Sequence, residues 1–191
     1  MPTLPEDVQR LTEAMDAADR AAEQLSSELP DEDFFWRPGG GTRWSVALCL
    51  DHLAVSNDIY SRAMTTGLES ARTQGLKRRG PITPGFFGRK FANSLEPPVK
   101  RRTSAPGKIK PQEARPREEI LIAYRGAHDR VRQLLLQSAE LDANRATFTN
   151  PFIGLIRIRV SSAFHIIAAH DRRHLWQAQQ VVAERRAGSG G

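Results

Sequence analysis

Four stretches of this chain, each about twenty residues or longer, repeat apolar residues three and four positions apart, and this pattern limits the fold more than any other feature. Residues 5–29 carry Val8, Leu11, Met15, Ala18, Ala22, Leu25 and Leu29. Residues 44–68 carry Leu48, His52, Val55, Ile59 and Ala63. Residues 116–138 carry Leu121, Tyr124, His128, Val131 and Leu135, flanked by Ile120, Ala127 and Leu134. The last, 160–187, carries Ala163, Ile167, His170, His174, Gln177 and Val181. Each set winds into one inward stripe on a helix, and four such helices predict an all-α four-helix bundle. Pro5 and Pro116 suit first helical positions, with Glu6, Asp7, Glu118 and Glu119 favourable in the first turns. Ser45 is placed to cap the second helix, and Gly67 to end it.

The connections are unequal. Residues 70–114, between the second and third helices, form a Pro- and Gly-rich crossover, long enough to free those helices from simple up-down order. Within it, 84–95 has the pattern of a short helix packing Phe87, Phe91 and Leu95 on the body. Phe34, Phe35 and Trp36 are expected to cap one end of the core, and the glycines at 39–41 to turn the chain. Asn150-Pro151 marks a turn in the connection 141–157. Residues 1–187 read as a single domain and 188–191 as a flexible tail.

Charge is concentrated in the crossover. From Ala71 to Arg117 there are thirteen Lys and Arg against Glu96 and Glu113, about +11, while the rest of the chain carries about −5. A solvated loop is the expected reading. Contact with nucleic acid through 77–79 and 100–102, or with an anionic membrane surface, is the sharper one. No apolar run approaches the ~18 residues of a membrane span. Cys49 is the single cysteine, which excludes an intrachain disulfide and a Cys-rich zinc site. With a polar, acidic N-terminal stretch unlike a signal peptide, the expected location is cytoplasmic.

Histidines interrupt two of the stripes. His170 and His174, four apart, share one helix face. Two imidazoles so placed can bind one metal ion at roughly 2.0–2.1 Å each. His52 stands in the same relation to the second helix. Three nitrogen ligands leave room for water or substrate, as in a catalytic rather than a closed structural site. Ligand imidazoles must be neutral, so occupancy is expected to fall below about pH 6.5. Gln177, three residues after His174, could orient a ligand or line the pocket. Tyr124 and His128 on the third helix are further pocket candidates. Asp51 and Asp171 each adjoin a candidate ligand but point about 100° away, toward solvent or ion pairs. His165 belongs to another face, Arg172 and Arg173 to the surface, and Cys49 to the core. There is no nucleophile motif and no phosphate-binding glycine loop, so a metal would have to supply most of any chemistry.

These residues resemble the DinB/YfiT-like superfamily along nearly the whole chain. One part of the pattern is Pro38-Gly39-Gly40, Trp44-Ser45 and Asp51-His52-Leu53; the other is His170, His174 and Gln177 on the last helix. The Pro-rich connection around Ser94-Leu95-Glu96-Pro97-Pro98 is similar too. The resemblance implies a four-helix bundle with a long crossover, often a homodimer. It implies a divalent metal, commonly zinc or nickel, on His52, His170 and His174. It also implies a small-molecule substrate, with either a low-molecular-weight thiol for S-transfer or water for hydrolysis. A non-catalytic, stress-related metal- or small-ligand-binding bundle is the alternative.

Overall fold

A computed structural model of the chain describes residues 3–99, 107–111 and 115–188. Its helices are α1 (Glu6–Ser27), α2 (Asp31–Phe35), α3 (Val46–Thr73), α4 (Phe86–Leu95), α5 (Arg117–Gln137) and α6 (Val160–Gly188), with a 3-10 turn at Gly107–Ile109. A hairpin of two short strands, β1 (Thr147–Thr149) and β2 (Arg157–Arg159), precedes α6. The four long helices are those the periodicity predicts. Residues 100–102 and the tail beyond Gly188 lie outside the described residues.

Two apolar clusters give the helix directions. One joins Val8 and Met15 of α1 to Met64 and Leu68 of α3, Val131 and Leu135 of α5, and Val160 and Ile167 of α6. The other joins Ala22 and Leu25 to Leu50 and Leu53, Ile120 and Tyr124, and Leu175 and Val181. The start of α1 and the start of α6 therefore meet the ends of α3 and α5. The order is up, down, down, up. Both α1 and α3 pack on α5 and α6, so α1 and α3 lie across the diagonal. Because α3 and α5 are parallel neighbours, the chain must travel back the length of a helix, about 30 Å, between them. The long crossover does this.

Ser45 caps α3, accepting the Leu48 N–H at 3.1 Å. Gly67 does not end the helix, which continues to Thr73 and turns at Gly75 (φ 65°). Gly67 instead permits a close crossing: a Cβ there would lie 3.1 Å from Val160 Cγ2 and 3.2 Å from the Thr147 carbonyl oxygen. The buried line of α3 also differs from the predicted stripe. Beyond His52 it runs through Ser56, Tyr60, Met64 and Leu68, leaving Val55, Ile59 and Ala63 half-buried. A helix packed between two neighbours buries a wider face than one stripe. Phe34 is buried and Trp36 packs on the second cluster, while Phe35 is exposed.

The crossover is anchored at several points. The Lys77 backbone bridges to Leu141, and Arg78 donates to the Asp7 carboxylate at 2.6 Å and to the Ser138 carbonyl at 2.9 Å. Arg78 is thereby committed inside the fold, which removes it from any nucleic-acid contact through 77–79. Helix α4 forms where expected but packs by another face. Phe86, Phe87 and Phe91 point outward, whereas Ala92 is buried and Leu95 packs on the core. Gly88 is the reason: a Cβ there would lie 2.4 Å from Ser162 Oγ, so only glycine lets α4 sit this close to α6. Gly88→Val is expected to lift α4 from α6 and cost about 1–3 kcal/mol, measured as a lowered melting temperature.

Candidate metal centre

His52 projects from α3, and His170 and His174 from successive turns of α6, toward one point. A nitrogen from each lies within 4.8 Å of the others, and the group could hold a metal ion. His52 Nε2 is 3.1 Å from His170 Nε2. The ring centroids are 4.9 Å apart for His52 and His170, 4.4 Å for His52 and His174, and 4.6 Å for His170 and His174. His52 and His174 are buried; His170 keeps partial exposure.

The outer nitrogens decide whether this set suits a cation. His52 Nδ1–H donates to the Ile109 carbonyl at 2.6 Å. His174 Nδ1–H donates to Gln177 Oε1 at 3.1 Å. A carbonyl oxygen only accepts, so each bond places the ring proton on Nδ1 and leaves the Nε2 lone pair for the shared point. Neutral imidazoles with tethered outer nitrogens are donors that zinc, nickel, copper or iron would accept. Gln177 thus holds the His174 ring from its outer side. Gln177→Leu is expected to weaken divalent-ion binding roughly 10–100-fold without unfolding the chain, read by competition with a chromophoric chelator.

The pH expectation shifts. Burial pushes His52 below the usual imidazole value. Burial, then the neighbouring His52, takes His170 to about 3. Burial and the other two rings hold His174 well below 6.5. The rings therefore stay neutral into mild acid rather than charging near pH 6.5. The indole of Trp44 stacks beside them, 4.9 Å from the His52 ring and 5.6 Å from that of His174.

Tyr124 and His128 form a neighbouring group instead of lining the three rings. Tyr124 closes one side of the second apolar cluster, and His128 lies in a buried polar layer beside it. Their rings stack at 4.2 Å. His128 Nδ1 is 2.8 Å from Asp19 Oδ1, and its Nε2 is 3.6 Å from Asp171 Oδ1, neither aligned as a hydrogen bond. Arg132 donates to the other Asp19 oxygen at 2.6 Å, and Asn57 to Asp171 Oδ1 at 2.9 Å. Burial alone would lower His128; the two carboxylates outweigh it and raise the ring to about 9. Burial, reinforced by the same carboxylates, pushes the Tyr124 hydroxyl up.

Both aspartates beside the candidate ligands are buried, Asp51 at 0% and Asp171 at 1% exposure, so neither faces solvent. Asp51 does form an ion pair, accepting from Arg115 at 2.6 Å, while Asp171 belongs to the polar layer. His165 Nε2 lies 3.5 Å from the Ile82 carbonyl oxygen, away from the three rings. Arg172 pairs with Glu96 beyond the end of α4. Burial pushes the Cys49 thiol up, against a role as nucleophile. The sequence reading missed Asp19, Asn57, Arg115 and the Ile109 carbonyl. Asp19 sits one position and Asn57 two positions off their predicted stripes, and a backbone carbonyl leaves no signature in side-chain patterning.

Among the described residues, no helix is long and apolar enough to cross a membrane. A family model described as DinB superfamily matches residues 14–178. No curated protein and no solved structure matches the chain.

Proposed function

The chain belongs to the DinB superfamily, and from that premise we propose that it is a divalent-metal-dependent enzyme that activates water or a low-molecular-weight thiol, as a hydrolase or an S-transferase. The ligands are His52, His170 and His174, and zinc or nickel is the expected ion. The observation that carries this reading is the pair of bonds from His52 and His174 to carbonyl acceptors, which leave the opposite nitrogens unprotonated, that of His52 facing His170 at 3.1 Å. An ion held there supplies Lewis acidity, enough to bring a water's pKa near about 7 or to keep a thiol ionised.

The chain's own residues bind and orient. The bonds to Ile109 and Gln177 fix two rings, and Trp44 shields them from water on one side. Arg173, half-buried, adds positive charge that bears on all three imidazoles, which favours an anionic group on the substrate. The partly exposed edge of His170 is the side from which a small molecule would approach.

Metal analysis of the purified chain, followed by chelator removal and readdition of zinc or nickel, tests the proposal. One equivalent of ion is expected, with metal-restored turnover on a panel of activated esters, amides and thiol acceptors. Stoichiometric metal without turnover on any of them supports the second reading, a non-catalytic metal- or small-ligand-binding bundle, which the burial of His52 and His174 favours. Absence of stoichiometric binding overturns both.

A further inference from the structure

The end of the molecule where α6 begins brings the start of α1 and the ends of α3 and α5 together with two stretches, 70–95 and 143–170, and these two stretches contain no aspartate or glutamate. Six of the ten exposed large apolar side chains among the described residues lie in them: Phe86, Phe87, Phe91, Ile153, Leu155 and Ile156. Phe86 is 75% exposed, Phe87 83% and Leu155 100%. The Phe86 and Phe87 rings lie 5.4 Å apart, and exposed apolar side chains gathered in this way mark an interaction surface.

The two groups flank one arginine. The Gly85 N–H donates to Ser162 Oγ at 3.1 Å, and a Cβ on Gly85 would lie 3.5 Å from the Arg159 guanidinium. The phenyl face of α4 thus starts beside Arg159, the last residue of β2, and the hairpin tip 153–156 leads into β2 from its other end. Exposed Arg89 and Lys90 are interleaved with the phenylalanines, and exposed Arg157 and Arg159 follow the tip. Arg89, Lys90 and Arg159 have no ion-pair partner among the described residues.

We propose that this end of the bundle docks on anionic phospholipid membranes. Phe86, Phe87 and Leu155 enter the boundary between headgroups and acyl chains, while Arg89, Lys90, Arg157 and Arg159 meet the lipid phosphates. A bilayer offers an apolar phase with negative charge just above it, which suits stretches that pair exposed phenyl and aliphatic side chains with exposed basic ones. A second copy of the chain fits less well, because a twofold contact would set Arg89, Lys90 and Arg159 against themselves. A nucleic acid would answer the charge and could stack on phenyl rings, but it gives Ile153, Leu155 and Ile156 nothing apolar to enter. The proposal does not depend on the metal reading.

The full chain is sedimented with vesicles of phosphatidylcholine and phosphatidylglycerol, and with phosphatidylcholine alone. Binding to the mixed vesicles, weakened by salt, is expected. The triple variant Phe86→Ser, Phe87→Ser, Leu155→Ser should lose about tenfold or more of it, with helical circular dichroism unchanged because these side chains are exposed. Phe87→Trp is expected to show blue-shifted emission quenched by brominated lipid. Equal partitioning to both vesicle types, undiminished binding by the triple variant, or no quenching of Phe87→Trp overturns the proposal. So does a vesicle-independent dimer that the triple variant converts to monomer, or binding to duplex DNA with none to vesicles.

Discussion

His170→Ala is expected to abolish stoichiometric divalent-metal binding while leaving the helical content intact. Among the described residues His170 supplies one of three candidate ligand rings, and its Nε2 faces that of His52 at 3.1 Å. Losing a bonding atom should exceed the roughly 10–100-fold cost of losing an outer partner such as Gln177. The helix survives because alanine is a strong helix former and the ring is partly exposed. The same variant should resist acid better in the metal-free state. The folded-state value of His170, about 3, lies below the ordinary imidazole value. Its contribution to stability is therefore present above about pH 6.5 and is lost as pH falls toward 3. Removing the ring removes that loss. Isothermal titration with zinc and an acid unfolding curve read the two effects. Retention of one tight equivalent of zinc in the variant would leave the proposed function without its site.

His128→Leu carries the second large effect, on stability. It leaves the buried Asp171 and the half-buried Asp19 without the imidazolium they face. Breaking a buried charge pair from one side costs about 3–5 kcal/mol, which for a chain this size lowers the melting temperature by roughly 10 °C. The pH signature identifies the cause. His128 is raised to about 9, so its stabilisation is complete below about pH 6.5 and is lost as pH climbs through 9. The wild type should lose stability across that window and the variant should not. An identical alkaline slope in both proteins would place the charge elsewhere.

Most of the frame could be read from the chain because helical periodicity is long-range and redundant. The stripe Val8 to Leu25 on α1, and Leu29 just past its end, are buried throughout, and α6 turns Ala163, Ile167, His174 and Val181 inward as predicted. The three histidines converge for the same reason: a polar ring in an apolar stripe must face whatever the stripe faces. The misreadings share a different cause. Thr147–Thr149 and Arg157–Arg159 are too short for alternation to show. Phe87 and Phe91 lost the inward face of α4 to Gly88 and Ala92, because close backbone approach outweighs side-chain hydrophobicity where two helices nearly touch. Asp51 and Asp171 could be buried because their partners, Arg115 and Asn57, come from distant parts of the chain. The ion pairs and bonds of the polar layer depend on the same kind of distant meeting, which no local window contains.

The up-down-down-up order has a bearing on biogenesis. During synthesis α1, α3 and α5 leave the ribosome first, yet two of the three imidazoles and one of the two helices on which both α1 and α3 pack belong to α6. Until α6 is released, the sides of α1 and α3 that pack on it lack their cover, and a chain in that state is one that a holdase would shelter. Metal capture would then be a late step in maturation, following closure of the bundle rather than nucleating it.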